Sequence, residues 1–126
     1  MSRGRGRILV VDDEEAARTT LGQILTEDGF EVRLAADGEG ALRLVAAELP
    51  DIVLTDLRMP GLDGHAVISA LRVANPKVPI IAISGGGSIA KDELLLKAAQ
   101  LGAVEVIMKP FGFEQLKGAV GRALSP

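Results

Sequence analysis

Four short apolar runs, each followed at once by a polar residue, constrain this chain more than any other feature. They are Ile8-Leu9-Val10-Val11, Ile52-Val53-Leu54-Thr55, Ile80-Ile81-Ala82-Ile83 and Val104-Glu105-Val106-Ile107-Met108. Most are too short for helices, rich in β-branched residues and continuous rather than alternating. That is the pattern of a central parallel strand covered on both faces. A weaker run, Glu31-Val32-Arg33-Leu34-Ala35, alternates as a half-exposed edge strand should.

Helical spacing fills the intervals. Ala17, Leu21, Ile24 and Leu25 share a face after Glu14 and Glu15, two acids placed where a helix N-terminus favours negative charge. Gly29 supplies a C-terminal stop. Asp37 can cap a second helix carrying Ala41, Leu44, Val45 and Ala47, ended by Pro50. Asp63 can cap a third carrying Ala66, Val67, Ala70 and Leu71, which stops before Pro76. A fourth is expected over 88–101, with Gly102 after it, and a fifth starts near Phe113. Strand and helix alternate five times, so the expected fold is a doubly wound, five-stranded parallel sheet with helices on both faces. Right-handed crossovers and the weak second strand favour the flavodoxin-like order 2-1-3-4-5.

The chain has 126 residues, enough for one domain rather than two. We expect that domain over 7–126, preceded at 1–6 by a basic, glycine-rich tail read as frayed and solvated. Composition excludes several classes. Zero Cys removes disulfides, thiolate nucleophiles and Cys-ligated zinc, and one His makes a His-based triad improbable. Aromatics at 2% argue against base-stacking platforms, and a net charge of −3 gives no electrostatic reason for direct nucleic-acid binding. No apolar run approaches the ~20 residues of a membrane span, and no signal peptide opens the chain. The expectation is a soluble, cytoplasmic protein.

In such sheets ligands bind beyond the carboxyl ends of the strands, where strand order reverses. The residues that follow the central strands are Asp12-Asp13, Asp56, Ser84 and Lys109. Three carboxylates on neighbouring strand ends repel one another unless a cation intervenes. An acid-rich, all-oxygen site that keeps water suits Mg²⁺. Lys109 adds a point charge and Ser84 a hydroxyl, so the rim holds the parts of a phosphoryl-transfer site with a carboxylate as nucleophile. Taken singly these residues are ordinary: an Asp pair after a strand is usually a solvated turn, and a lone lysine is usually surface. Their convergence on one rim carries the functional reading. Gly85-Gly86-Gly87 lacks the Gly-Lys-Ser/Thr ending of a phosphate-binding P-loop. His65 is assigned no chemistry.

Val11-Asp12-Asp13-Glu14, Leu54 through Gly64, Ile83-Ser84-Gly85 and Met108-Lys109-Pro110-Phe111 together resemble the receiver domain of bacterial response regulators. The resemblance runs from about Arg7 to Leu124. It implies that Asp56 accepts a phosphoryl group from a histidine kinase or phosphotransfer protein. It also implies that Asp13 and Asp56, with the Arg58 backbone carbonyl, hold Mg²⁺ directly, while Asp12 acts largely through water. Ser84, Lys109 and the Gly85 backbone N–H would hold phosphoryl oxygens, with a cis peptide before Pro110. On the same resemblance the domain is no enzyme beyond its own phosphorylation and dephosphorylation. Its output would be a protein target, met through the face of the fourth helix, fifth strand and fifth helix, with Leu96 as a candidate contact.

The chain departs from the family at Val106, where Tyr or Phe is usual. A valine cannot perform the ring rotation of the usual switch, which leaves signalling to the Ser84 loop and fourth helix. A phosphorylation-independent interaction module of the same fold is the alternative. A third reading, a phosphatase using a second Asp two positions after the nucleophile, lacks its acid–base partner because that position is Arg58.

Overall fold

Continuous apolar runs make sense once the central strands are seen to bury both faces. In a computed structural model of the protein, residues 6–56, 64–74, 77–84, 99, 102–108 and 111–124 are described, 64–67, 74 and 84 through their backbone. The strands are β1 (Arg7–Val11), β2 (Glu31–Ala35), β3 (Ile52–Asp56), β4 (Ile80–Ser84) and β5 (Glu105–Met108). The helices are α1 (Glu15–Glu27), α2 (Gly38–Ala47), α3 (Gly64–Ala74) and α4 (Phe113–Leu124), the last being the fifth of the sequence reading. All pairings are parallel, and the order is β2-β1-β3-β4-β5, as expected. Among the described residues no helix is long and apolar enough to cross a membrane.

Alternate strand residues feed two cores. Leu9, Val11, Val53, Ile80 and Ala82 cluster with Ala41 and Val45 of α2 and Ile68 and Leu71 of α3. Ile8, Val10, Ile52, Leu54, Ile81, Ile83 and Ile107 cluster with Leu21 and Leu25 of α1 and Leu116, Ala119 and Val120 of α4. With the period of two, every side chain of Ile8–Val11 and Ile52–Leu54 is buried, which is why no polar residue interrupts those runs.

Local chemistry fixes the helix ends. Gly29 has φ +99°, a conformation that disfavours other residues, and follows the α1 cap Asp28. Its N–H donates to Thr26 O at 3.0 Å and the next N–H, Phe30, to Leu25 O at 3.1 Å. This is a Schellman ending, with buried Phe30 and Leu25 joining the same core. Asp37 caps α2 as expected, its Oδ1 accepting the Gly40 N–H at 2.7 Å. The proposed Asp63 cap and Leu94–Leu96 lie outside the described residues.

Two expectations shift at the sheet margins. β5 starts at Glu105 rather than Val104, which is 52% exposed. The edge strand β2 does not alternate cleanly: Arg33 and Leu34 are both exposed. Leu34 lies over Gly22 of α1, where an added Cβ would sit 3.2 Å from it. At the N-terminal end of the sheet, Arg72 from the last turn of α3 donates to the Val78 carbonyl and, at 2.6 Å, to the Gly102 carbonyl. Burial lowers the pKa of this guanidinium from the ordinary arginine value.

Candidate functional site

Register brings the acids together. Val11 pairs with Thr55 across β1 and β3, so the residues that follow, Asp12 and Asp56, leave their strands side by side. Asp12 extends the pairing on its other flank, donating its N–H to the Ala35 carbonyl of β2 at 3.1 Å. Carboxylate oxygens of Asp12, Asp13 and Asp56 all lie within 4.8 Å of one another. Asp12 is fully buried and Asp56 is 5% exposed, whereas Asp13 is open to solvent.

Each acid is held differently. Asp12 Oδ1 accepts the Glu14 N–H at 2.9 Å, immediately before α1, so one carboxylate oxygen caps the start of that helix. Glu14, the residue at the cap position, makes no side-chain cap bond of its own. The Asp12 carbonyl accepts from Arg18 Nη1 at 3.0 Å. Asp56 ends β3, and the buried Thr55 hydroxyl donates to its carbonyl at 3.2 Å. Two like charges at about 5 Å repel by about 3 kcal/mol at an effective dielectric of about 20.

The donor set fits a hard divalent cation. It consists of oxygen atoms only, it carries excess negative charge, and one of its members faces solvent, so bound water can be kept. Of the other residues singled out from sequence, Ser84 is the last residue of β4, its backbone in register with Met108, the residue before Lys109. Arg58, Gly85 and Lys109 lie outside the described residues. Arg18 was not anticipated. Its signal was present in the spacing: four residues after the cap residue Glu14, it stands one turn above the acidic loop, its own N–H donating to Glu14 O at 2.9 Å. Val106, where the family usually has an aromatic, is half-buried and packed against the α2–α3 core.

A 2-1-3-4-5 sheet with an acidic cup at its switch point defines a flavodoxin-like α/β domain built to hold charge at the ends of β1 and β3. Residues 8–121 match the family model described as the response regulator receiver domain, and the chain belongs to that family. It is 30% identical over 118 residues to sporulation initiation phosphotransferase F of Bacillus subtilis, covering 94% of this chain and 93% of that protein. It is 41% identical over 110 residues to the response regulator MprA of Mycolicibacterium vanbaalenii, covering 87% of this chain but 46% of that protein. Among solved structures, the receiver domain of NtrX from Brucella abortus superposes with a TM-score of 0.87 at 36% identity, covering 93% of this chain and 97% of that one.

Proposed function

We propose that the domain is a phosphorylation-driven switch that accepts a phosphoryl group on Asp56 with the help of Mg²⁺. The observation that carries this reading is the cup of three carboxylate groups at the ends of β1 and β3. Asp13 and Asp56, with the Arg58 backbone carbonyl, are the residues that would hold the cation, and Asp12 would act through water. When bound, the cation offsets the charge of the carboxylates and of the incoming phosphoryl oxygens.

An Asp56 carboxylate oxygen attacks phosphorus. The P–N bond of a donor phosphohistidine breaks, an O–P bond to Asp56 forms, and the departing imidazole keeps the electron pair. Ser84, Lys109 and the Gly85 N–H receive the phosphoryl oxygens. The donor is a sensor histidine kinase or phosphotransfer protein, and the domain catalyses nothing beyond its own phosphorylation and dephosphorylation. Output passes to a protein target through 88–101, β5 and α4, with no direct nucleic-acid contact, in the cytoplasm. Phosphorylation acts by biasing two pre-existing conformations.

Incubation with Mg²⁺ and acetyl phosphate is the test. The wild type should gain the mass of one phosphoryl group, acetate departing, and Asp56→Asn should gain none. A wild type that binds Mg²⁺ yet gains no mass overturns the reading. The outcome would then favour the phosphorylation-independent interaction module, to which Val106 already points.

A further inference from the structure

The three carboxylates differ in what orients them. Asp12 is buried and tied by its own Oδ1 to the start of α1. Asp56 is fixed by the end of β3, its register with Ile83 and the Thr55 hydroxyl. Asp13 is exposed, in the loop between β1 and α1. Its direction depends on the peptide plane between Asp12 and Asp13, because that plane carries the Asp13 N–H and sets where its Cα points. The carbonyl of the same plane accepts from Arg18 Nη1 at 3.0 Å. A guanidinium donor makes a stronger bond to a carbonyl than a neutral donor does.

We propose that Arg18 is a positioning residue for the cation site. By clamping the Asp12 carbonyl, it locks the Asp12–Asp13 peptide and keeps the exposed Asp13 carboxylate turned toward Asp56. The proposal rests on the Mg²⁺ reading above. It adds a residue of α1 that touches neither cation nor phosphoryl group and that acts through the backbone of a ligand-bearing loop. Such supporting contacts commonly govern metal affinity. Its sign is opposite to that of simple electrostatics. A positive side chain near a cation site weakens binding by repulsion, whereas a clamp on the ligand loop strengthens it.

That opposition makes the test decisive. Mg²⁺ is titrated calorimetrically into the wild type, Arg18→Met and Arg18→Lys, with thermal midpoints recorded in Mg²⁺-free buffer. Labelling by acetyl phosphate is followed at low and saturating Mg²⁺. Arg18→Met should bind Mg²⁺ about tenfold more weakly. Its labelling rate should fall at low Mg²⁺ and recover at saturating Mg²⁺. Arg18→Lys, which keeps a cationic N–H donor on a side chain one bond shorter, should recover part of the affinity. A merely structural role would instead lower the thermal midpoint and leave labelling impaired at saturating Mg²⁺. Unchanged or tighter binding by Arg18→Met overturns the proposal, as does an Arg18→Lys variant no better than Arg18→Met. A wild type that takes up no Mg²⁺ sinks the parent reading instead, a result visible before any Arg18 variant is compared.

Discussion

The two rims of the sheet are both charged, and they are charged in opposite ways. At the carboxyl ends of β1 and β3, Asp12, Asp13 and Asp56 bring like charges within 4.8 Å of one another. At the amino ends the charges alternate in sign. Arg7 Nε lies 2.8 Å from Glu31 and its Nη2 3.2 Å from Glu48, which also meets Arg33 at 3.8 Å. The Arg7 backbone N–H donates to Asp51 at 2.8 Å. A cavity of about 250 Å³ opens beside this network, lined in part by Arg7, Arg33 and Glu48. Among the described residues, the lower rim pairs opposite charges, whereas the upper rim gathers three carboxylates. The difference teaches where to look for function: carboxylates gathered at one rim mark the place where a cation would relieve their repulsion. Stability and activity should therefore respond separately to changes at the two rims.

The largest effect is expected at the lower end. Arg72→Met deprives the carbonyls of Val78 and Gly102 of their shared donor and should cost about 2–3 kcal/mol by denaturant unfolding. Labelling of Asp56 in the folded fraction should stay at the wild-type level. Loss of labelling along with stability would show that the rims are not independent.

Asp13→Asn probes the upper rim. Removing one of the mutually repelling charges should stabilise the Mg²⁺-free chain by about 1 kcal/mol, seen as a rise of about 3–6 °C in Tm. In the wild type, Mg²⁺ at tenfold excess over its Kd should add about 1.4 kcal/mol, removed again by chelation. That gain should largely vanish in the variant. A Tm that falls on Asp13→Asn in Mg²⁺-free buffer would erase the contrast between the rims.

Arg7→Met should cost less, about 1 kcal/mol. Its partners are half-exposed, with side chains 38% and 39% accessible against 26% for Arg7 itself, so water screens the pairs. The loss should shrink further in high salt, and Mg²⁺ affinity should not change.

The central strands and the acidic cup were readable in the sequence because both follow from strict local rules. A strand buried on both faces is mostly apolar, and the polar residues at its carboxyl end land on the rim. Register did the rest: Val11 opposite Thr55 makes Asp12 and Asp56 neighbours although 44 positions separate them. Arg18 was only partly readable: its spacing after Glu14 places it one turn above the acidic loop. Its role depends on a side chain reaching a backbone carbonyl, and residue type does not encode that contact. The edge strand fell where expected, but its alternation did not hold, since Leu34 is 42% exposed while lying over Gly22 of another element, a contact that hydrophobic alternation does not register.

The smallest effect comes from a position that carries no charge, near the end of α4. Gly118 and Gly121 both lie inside α4. At Gly121 an added Cβ would meet nothing within 4 Å, so no neighbouring backbone requires the glycine. Its φ is not positive, so alanine fits the helical conformation without strain. The only consequence of Gly121→Ala is then a less flexible unfolded chain and a better helix former near the end of α4. Stability should rise by about 0.5 kcal/mol in urea unfolding, with an unchanged m value. Since no charge moves, Mg²⁺ affinity and the labelling rate of Asp56 should both match the wild type. If instead the gain in α4 slowed labelling, stability itself would be limiting the switch, and the contrast between rims would have to be redrawn as one between rigid and yielding parts of the fold.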